Sequence, residues 1–502
     1  MSRKVVALFT VLLLVCGACT VSLAEEPVHI SIGLRVSSDF NPEGNALCEA
    51  IEKATHTEIE WVVWPSSNWL EKRNVSLASN AYPDVIMLDE RKNDNMYTSL
   101  VRAGKIIPLD EYIQNAENIK KYTLESAWVA QRDPDDGKMY TIPRCTIIRE
   151  DFMMVRKDWM DKLGFTELKT VEDWVEFGKA VATEDPDGNG VNDTYLITAR
   201  GGLGDYIQSY FPKAFRAYDG WYVQEDGSIV NGKYARDGRY KDVLSLYRQL
   251  YEVGAIDPEF LTYKGYYEDK FEQGTVAAFL AFVGNMDREL SNMRAFCPEA
   301  ELVYVPYPED AAQKRKNETE VLTNSGVYYS WAITDKGADR AQEIIDLFDW
   351  MLSDEGWEML KYGVEGVHYD IVDGQRVYTD LYYAEQITAN AQIMMFRRPL
   401  DQDFWLKKAV PEIYEEQLEW FDKTTNYIWN NYQIEGLLGF SATNEKEWKA
   451  SDLITTEEPI LIAEIITGEK PLEAWDEFIE RVYASGYQEI SDEYNAYFQV
   501  NQ

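Results

Sequence analysis

The chain is short of the residues that metalloenzymes, disulfide scaffolds and nucleic-acid binders depend on. Histidine occurs three times in 502 residues, as His29, His56 and His368, and no two of them have a metal-ligand spacing. Cysteine occurs five times. Two of these lie near the N-terminus, and Cys48, Cys145 and Cys297 are scattered, which excludes a disulfide framework and a CxxC metal pair. Positive charge is scarce: 49 Lys and Arg stand against 87 Asp and Glu, for a formal net charge of −38. Nucleic acids and anionic membranes reward basic patches, so both are poor partners for this surface. No GxSxG elbow, HExxH pair or P-loop string is present. Beyond the N-terminus no apolar run is long enough to span a bilayer, and there is no internal repeat or low-complexity linker.

What is present begins with an export signal. Arg3 and Lys4 precede an apolar stretch, residues 5–15, broken only by Thr10, and Ser22-Leu23-Ala24 supplies small residues for cleavage. Residues 1–24 read as a signal peptide, with the mature chain exported. Cys16-Gly17-Ala18-Cys19 is similar to a bacterial lipobox, which would place a lipid on Cys19, although Cys16 stands where Leu is usual. Cleavage after Ala24 is the favoured reading and a lipid anchor the alternative. With 45% hydrophobic residues the chain is able to bury a large core without disulfides. The 15 Trp and 33 Tyr mostly serve that packing, and some of them suit the flat C–H faces of sugar rings.

The sharpest local chemistry is an Asp-x-Asp-x-Asn-Gly-x-x-Asp string. Asp185, Asp187, Asn189 and Asp193 offer side-chain oxygens at loop positions 1, 3, 5 and 9, and Val191 at position 7 offers its carbonyl. Gly190 falls where a calcium loop turns sharply. Ca²⁺ takes about six to eight oxygens, and five are supplied. Position 12, a bidentate Glu in an EF-hand, is Leu196, so the string is not a complete EF-hand and reads as a structural Ca²⁺ staple. The plainer reading is a solvated acidic turn.

Val28, Ile30, Ile32 and Leu34 alternate as in a strand. Ala46, Leu47, Ala50 and Ile51 fit a helix face, Ile59, Trp61 and Val63 alternate again, and residues 84–88 form a short apolar strand. Strand alternating with helix predicts an α/β lobe with a largely parallel sheet, whose ligands bind at the carboxyl ends of the strands. That rule points to residues 36–40, 64–69 and 89–91. Tyr240, Val243, Leu244, Tyr247, Leu250 and Tyr251 give a helical stripe, as do Ile344, Ile345, Leu347, Phe348, Met351 and Leu352. From about residue 380 the pattern is mostly helical.

Several segments in series carry a resemblance: Tyr82-Pro-Asp-Val-Ile-Met, Gly104-Lys-Ile-Ile-Pro-Leu-Asp-Glu-Tyr-Ile and Asp136-Gly-Lys-Met-Tyr-Thr-Ile-Pro. They continue with Val155-Arg-Lys-Asp-Trp-Met-Asp-Lys-Leu-Gly, Asp185-Pro-Asp-Gly-Asn-Gly, Tyr362-Gly-Val-Glu-Gly-Val-His-Tyr and Trp475-Asp-Glu-Phe. Over essentially the whole mature chain this resembles the sugar-binding extracellular solute-binding proteins of bacterial ABC importers. Within them it is similar to the long subgroup that handles complex carbohydrates and includes the alginate-oligosaccharide binders. The resemblance implies a two-lobe, type II periplasmic-binding-protein fold joined by crossing strands, a structural calcium at the same loop, and a monomer that delivers an oligosaccharide to transmembrane permease subunits. Those binders carry an acidic residue where this chain has Thr194. The resemblance also implies crossings near 147–155, 279–286 and 327–333. One lobe is then expected from 25–150 plus about 287–330, and the other from 151–286 plus about 331–502.

Trp64 and Trp69 flank a loop after a strand and are candidates for stacking on a sugar. Asp89 follows a buried strand and suits hydroxyl groups, with a helix cap as its other reading. Arg144 precedes the first crossing and suits hydroxyls or a uronate carboxylate. Asn285 is expected at the second crossing, and Tyr328 and Trp331 at the third. Glu365 and His368 are more simply structural, though Glu365 is kept as a ligand candidate. Arg397-Arg398 is a basic island in an acidic chain, which fits an acidic sugar or a surface salt bridge. A non-catalytic receptor is the leading reading. A secreted glycoside hydrolase stays open because two carboxylates are enough for that chemistry, as does a receptor for peptides or other solutes. A calcium-dependent adhesin fits less well, because repeated β modules are missing.

Overall fold

The computed structural model describes residues 26–501 apart from 37–39, 92, 200–208, 386–394 and 407–409. The expected leader and Cys19 lie outside the described residues. Eight strands carry the two main sheets: β1 (Val28–Val36), β2 (Thr57–Pro65), β3 (Val85–Leu88), β4 (Ile142–Cys145), β5 (Phe152–Arg156), β6 (Ala278–Ala281), β7 (Leu302–Val305) and β8 (Val327–Ile333).

The first lobe is a five-stranded sheet in the order β2-β1-β3-β8-β4. β1 runs parallel to β2 and β3, and β8 runs antiparallel to β3 and β4. All four β3 side chains are buried, as the continuous apolar run requires of a central strand. Helix Ala46–Thr55 follows β1 because Asn45 caps it, accepting from the backbone N–H groups of Leu47 and Cys48. Gly33 has no Cβ for a packing reason: one placed there would lie 2.3 Å from the Trp64 ring. Helices Ala341–Met351 and Asp354–Tyr362 bury their stripes in the same core.

The second lobe is built on an antiparallel sheet, β6-β5-β7, with β5 fully buried at its centre. Helix Val171–Thr183, opened by a capping box from Thr170 and Asp173, packs there beside helix Arg239–Glu252. Helices Glu458–Ile466 and Ala474–Val482 complete the same core, with Tyr240 tilted against Trp475 at 4.6 Å between ring centroids. A four-stranded sheet of two- and three-residue strands joins Trp221–Val223, Ile229–Asn231, Thr319–Val321 and Tyr432–Gln433. Among the described residues no helix is long and apolar enough to cross a membrane.

The two-lobe α/β architecture is as expected, but the sheet partners divide the chain differently. β7 pairs with β5, so 287–330 does not belong to the first lobe as a block. β6 does not lead back across: it pairs with β5, and helix Met286–Arg294 after it packs in a second-lobe cluster. Residues 331–362 complete the first lobe and not the second. The chain passes between lobes at 146–151, at 322–326 and near 405, where Phe404 joins the first-lobe core, Leu406 a second-lobe cluster, and Trp405 touches both. Periodicity announces a strand but not the sheet that receives it, and these strands are short apolar runs suited to either.

Gly33→Val is expected to lower stability by about 1–3 kcal/mol through overpacking against Trp64. Urea unfolding monitored by tryptophan fluorescence checks this, and an unchanged midpoint would contradict the close packing.

Candidate ligand cleft

The carboxyl ends of β1 to β4 and the start of β8 share one edge of the first-lobe sheet, where 146–151 leaves for the second lobe. This edge gathers aromatic rings and guanidinium groups. Tyr328 is half exposed, with Arg144 5.3 Å and Arg397 6.0 Å from its ring centroid. Tyr329, next to it, packs edge-on against Trp69 at 6.0 Å and takes Arg35 over its ring at 5.4 Å. The Arg397 guanidinium also lies over Phe404 and Trp405.

Burial holds the Arg144 guanidinium well below its usual range, and repulsion from Arg397 and Arg35 lowers it further, with Tyr328 opposing. Burial likewise brings Arg397 down to about 10. The Asp89 carboxyl is pushed up by burial and by the Asp94 charge, against Arg73 and Arg35. Its loop is held by a buried pair: Arg73 donates to Asp94 at 2.5 Å, and Asp94 accepts from the backbone N–H groups of Asp89 and Met96.

The expected contacts therefore separate. Tyr328, Arg144 and Asp89 stand at this edge, and Trp69 lies just behind it, 7% exposed. Trp64 is 3% exposed and packs on Gly33, so it offers no face to a ligand. Trp331 points into the core, its indole N–H donating to the Met395 carbonyl at 2.8 Å. Asn285 lies in the turn after β6, on the second lobe and not at a crossing. Glu365 is exposed in the turn before the hairpin Tyr369–Val372/Gln375–Tyr378, bridged to Tyr369. His368 is structural: its ring accepts from the Val364 N–H and meets Glu385, which caps helix Ala46–Thr55. Sequence reasoning missed Arg35, whose signal is a charge near the end of an apolar strand, and Trp405.

On the second-lobe side, Arg149 pairs with Asp151 and lies over Phe282 at 3.9 Å, and Phe282 meets Trp405 edge-on at 5.9 Å. Gly284 is required there because a Cβ would sit 2.6 Å from the Trp405 carbonyl. Next along the first connection, the buried Glu150 carboxylate accepts from Lys213 at 2.5 Å and from the Tyr307 and Tyr432 hydroxyls at 2.6 Å each. A cavity of about 270 Å³ opens beside it, lined among others by Tyr307, Tyr427, Lys213 and Glu320. Burial pushes the Glu320 carboxyl up to about 7, Lys213 opposing and Glu150 adding repulsion.

In the 185–193 loop Asp185 and Gly190 have positive φ. Asp187 and Asp193 both accept from the Asn189 side-chain amide, at 2.9 and 3.0 Å, and Asp185 accepts from the backbone N–H groups of Asn189 and Gly190. Burial and a hydrogen bond with Asp185 raise the Asp187 carboxyl, while Asp185 itself is lowered. Crowded acids of this kind fit a hard cation, yet among the described residues no three His, Cys, Asp or Glu side chains are gathered in metal-binding geometry. Leu196 is fully buried, which explains why no Glu stands at position 12.

The family described as bacterial extracellular solute-binding protein matches residues 38–356, more than half of the chain. A polygalacturonan/rhamnogalacturonan-binding protein of Bacillus subtilis, YtcQ, is 25% identical over 334 residues, 66% of this chain. The chain spans 64% of that relative's length. Among solved structures, the alginate-binding protein AlgQ2, crystallised without calcium ion, aligns with a TM-score of 0.62 at 20% identity over 95% of this chain and 98% of its own. An EF-hand mutant of FusA, an ABC-transporter substrate-binding protein of Streptococcus pneumoniae in complex with fructo-nystose, aligns with a TM-score of 0.65 at 18% identity over 94% and 99%. At these identities the two structures speak for the fold.

Because the folded-state Glu320 carboxyl lies above its unfolded value of about 4.5, the group stabilises the fold at low pH and loses that contribution as pH rises toward about 7. Glu320→Gln is expected to reduce the fall in melting temperature between these pH values. Parallel melting curves for the two proteins would contradict the assignment.

Proposed function

The chain belongs to the bacterial extracellular solute-binding proteins, and on that footing we propose that it is the substrate-binding receptor of an ABC importer, capturing an oligosaccharide between its lobes and passing it to the permease. The observation that carries this reading is the half-exposed Tyr328 ring, set among guanidinium groups where the first-lobe strands end and the chain leaves for the second lobe. An aromatic face with polar groups beside it binds a sugar by stacking and directed hydrogen bonds. Three connections between the lobes suit a hinge. Ligand bound to both faces favours the closed state, and the permease then reads that state. The names of YtcQ, AlgQ2 and FusA, each a saccharide-binding protein, support the ligand class.

The protein acts as a monomeric receptor and not as an enzyme. It works outside the cell membrane, held by a lipid on Cys19 or free after cleavage at Ala24. A Ca²⁺ ion bound by Asp185, Asp187, Asn189, Val191 and Asp193 staples the loop at the edge of the second lobe and takes no part in ligand chemistry.

Thermal shift against neutral and acidic oligosaccharides tests the receptor. Ligand at about 100 times its Kd stabilises by about 2.7 kcal/mol, a clear rise in melting temperature. A blank across all saccharides, or turnover of any of them, would refute the reading. For the ion, Asp187→Ala in calcium buffer is expected to melt with the parent in EGTA, and an EGTA-insensitive parent would remove calcium from the account.

A further inference from the structure

Five arginines are buried among the described residues: Arg73, Arg144, Arg156, Arg239 and Arg315. Four of them are neutralised on the spot. Arg73 pairs with Asp94, Arg156 with Asp158, Arg239 with Asp237 and Glu318, and Arg315 with Asp237 and Asp242. Arg144 is the exception. It is 8% exposed, forms no ion pair among the described residues, and its Nε has no hydrogen-bond partner. Its neighbours are the Tyr328 ring and two further guanidinium groups, those of Arg397 and Arg35. The acid that faces this group, Asp89, acts on Arg35.

A desolvated, uncompensated cation is costly, and here two like charges add to the cost. In a chain with 87 acidic residues, a carboxylate partner was available to every other buried arginine. Among the described residues no carboxylate pairs with Arg144, and that unpaired buried cation is a property of the site. Guanidinium groups bind carboxylates bidentately and in one plane, and the half-exposed tyrosine beside them presents an apolar face of ring size. Resting on the receptor reading above, we propose that the subsite formed by Arg35, Arg144, Arg397 and Tyr328 takes a uronic-acid residue, its carboxylate among the guanidinium groups and its ring on Tyr328. The receptor thus selects acidic over neutral oligosaccharides.

The test is calorimetric titration of the full protein with linear oligogalacturonates, with their fully methyl-esterified forms, and with a sulfated neutral oligosaccharide of the same length. The ester keeps the ring and removes the charge. The free acid is expected to bind at least about tenfold more tightly than the ester. Arg144→Gln is expected to bring the acid down to the affinity of the ester while leaving the ester nearly unchanged. Without ligand, Arg144→Gln is expected to melt no lower than the parent, because it relieves like-charge repulsion. Arg397→Gln, at a half-buried position, repeats the comparison should the first variant fail to fold. Equal affinity for acid and ester, equal losses of both in the variants, or binding of the sulfated sugar alone would overturn the proposal while leaving a saccharide receptor in place. Saturable binding by none of the sugars would overturn the receptor reading as well.

Discussion

The Glu150 carboxylate is the constraint that ties the first connection to the second lobe. It is 1% exposed and lies in the first connection, where a lone charge would be untenable. Lys213 and the hydroxyls of Tyr307 and Tyr432 bring it three donors from three separate parts of the second lobe. Its backbone N–H also donates to the Thr424 carbonyl in helix Tyr414–Asn431. The connection is thus pinned at one point. Two residues earlier, Ile148 packs with Leu322 of the second connection and with Ile428 and Leu438. This end of the connection is thereby fixed to the second lobe, because the polar set loses its satisfaction if any member withdraws.

The strand ends of the first lobe show a different arrangement of charge. Inside each lobe, buried ions meet their counter-ions at short range, as Arg239 does with Asp237 and Glu318. At the edge between lobes the guanidinium groups meet rings. Rings soften the cost of burying a cation without cancelling it. Among the described residues the lobes hold the neutralised pairs, and Arg144 at the edge is the buried arginine that has none.

Much of this was legible in the residues. The alternation of residues 28–34 gave β1, and the stripes beginning at Tyr240 and Ile344 gave two long helices, because these signals lie within one element. The 185–193 string is equally local, yet among the described residues no three acidic side chains gather in metal-binding geometry. Sheet membership was not readable. β6, β7 and β8 are short apolar runs, and only their hydrogen-bond partners assign β6 and β7 to one lobe and β8 to the other. Trp64 and Trp331 looked like contacts because they sit in or after strands, yet Gly33 opposite the first and the Met395 carbonyl opposite the second turn both inward. Arg144 and the Arg397 island were each visible alone. That they meet over one tyrosine depends on the third connection, which no local pattern announces.

The C-terminal helices have a consequence for how the molecule forms. Trp174 and Tyr240 share one core with Ile462, Ile465, Trp475 and Phe478, from the far end of the chain. The first-lobe core takes no residue beyond Phe404 among its buried members. A chain emerging from the ribosome therefore completes its first-lobe core only at Phe404, and the second stays open with its aromatic core uncovered until the last helices arrive. That half folds late, through contacts of long sequence separation, and is the half in which a chaperone finds exposed apolar surface.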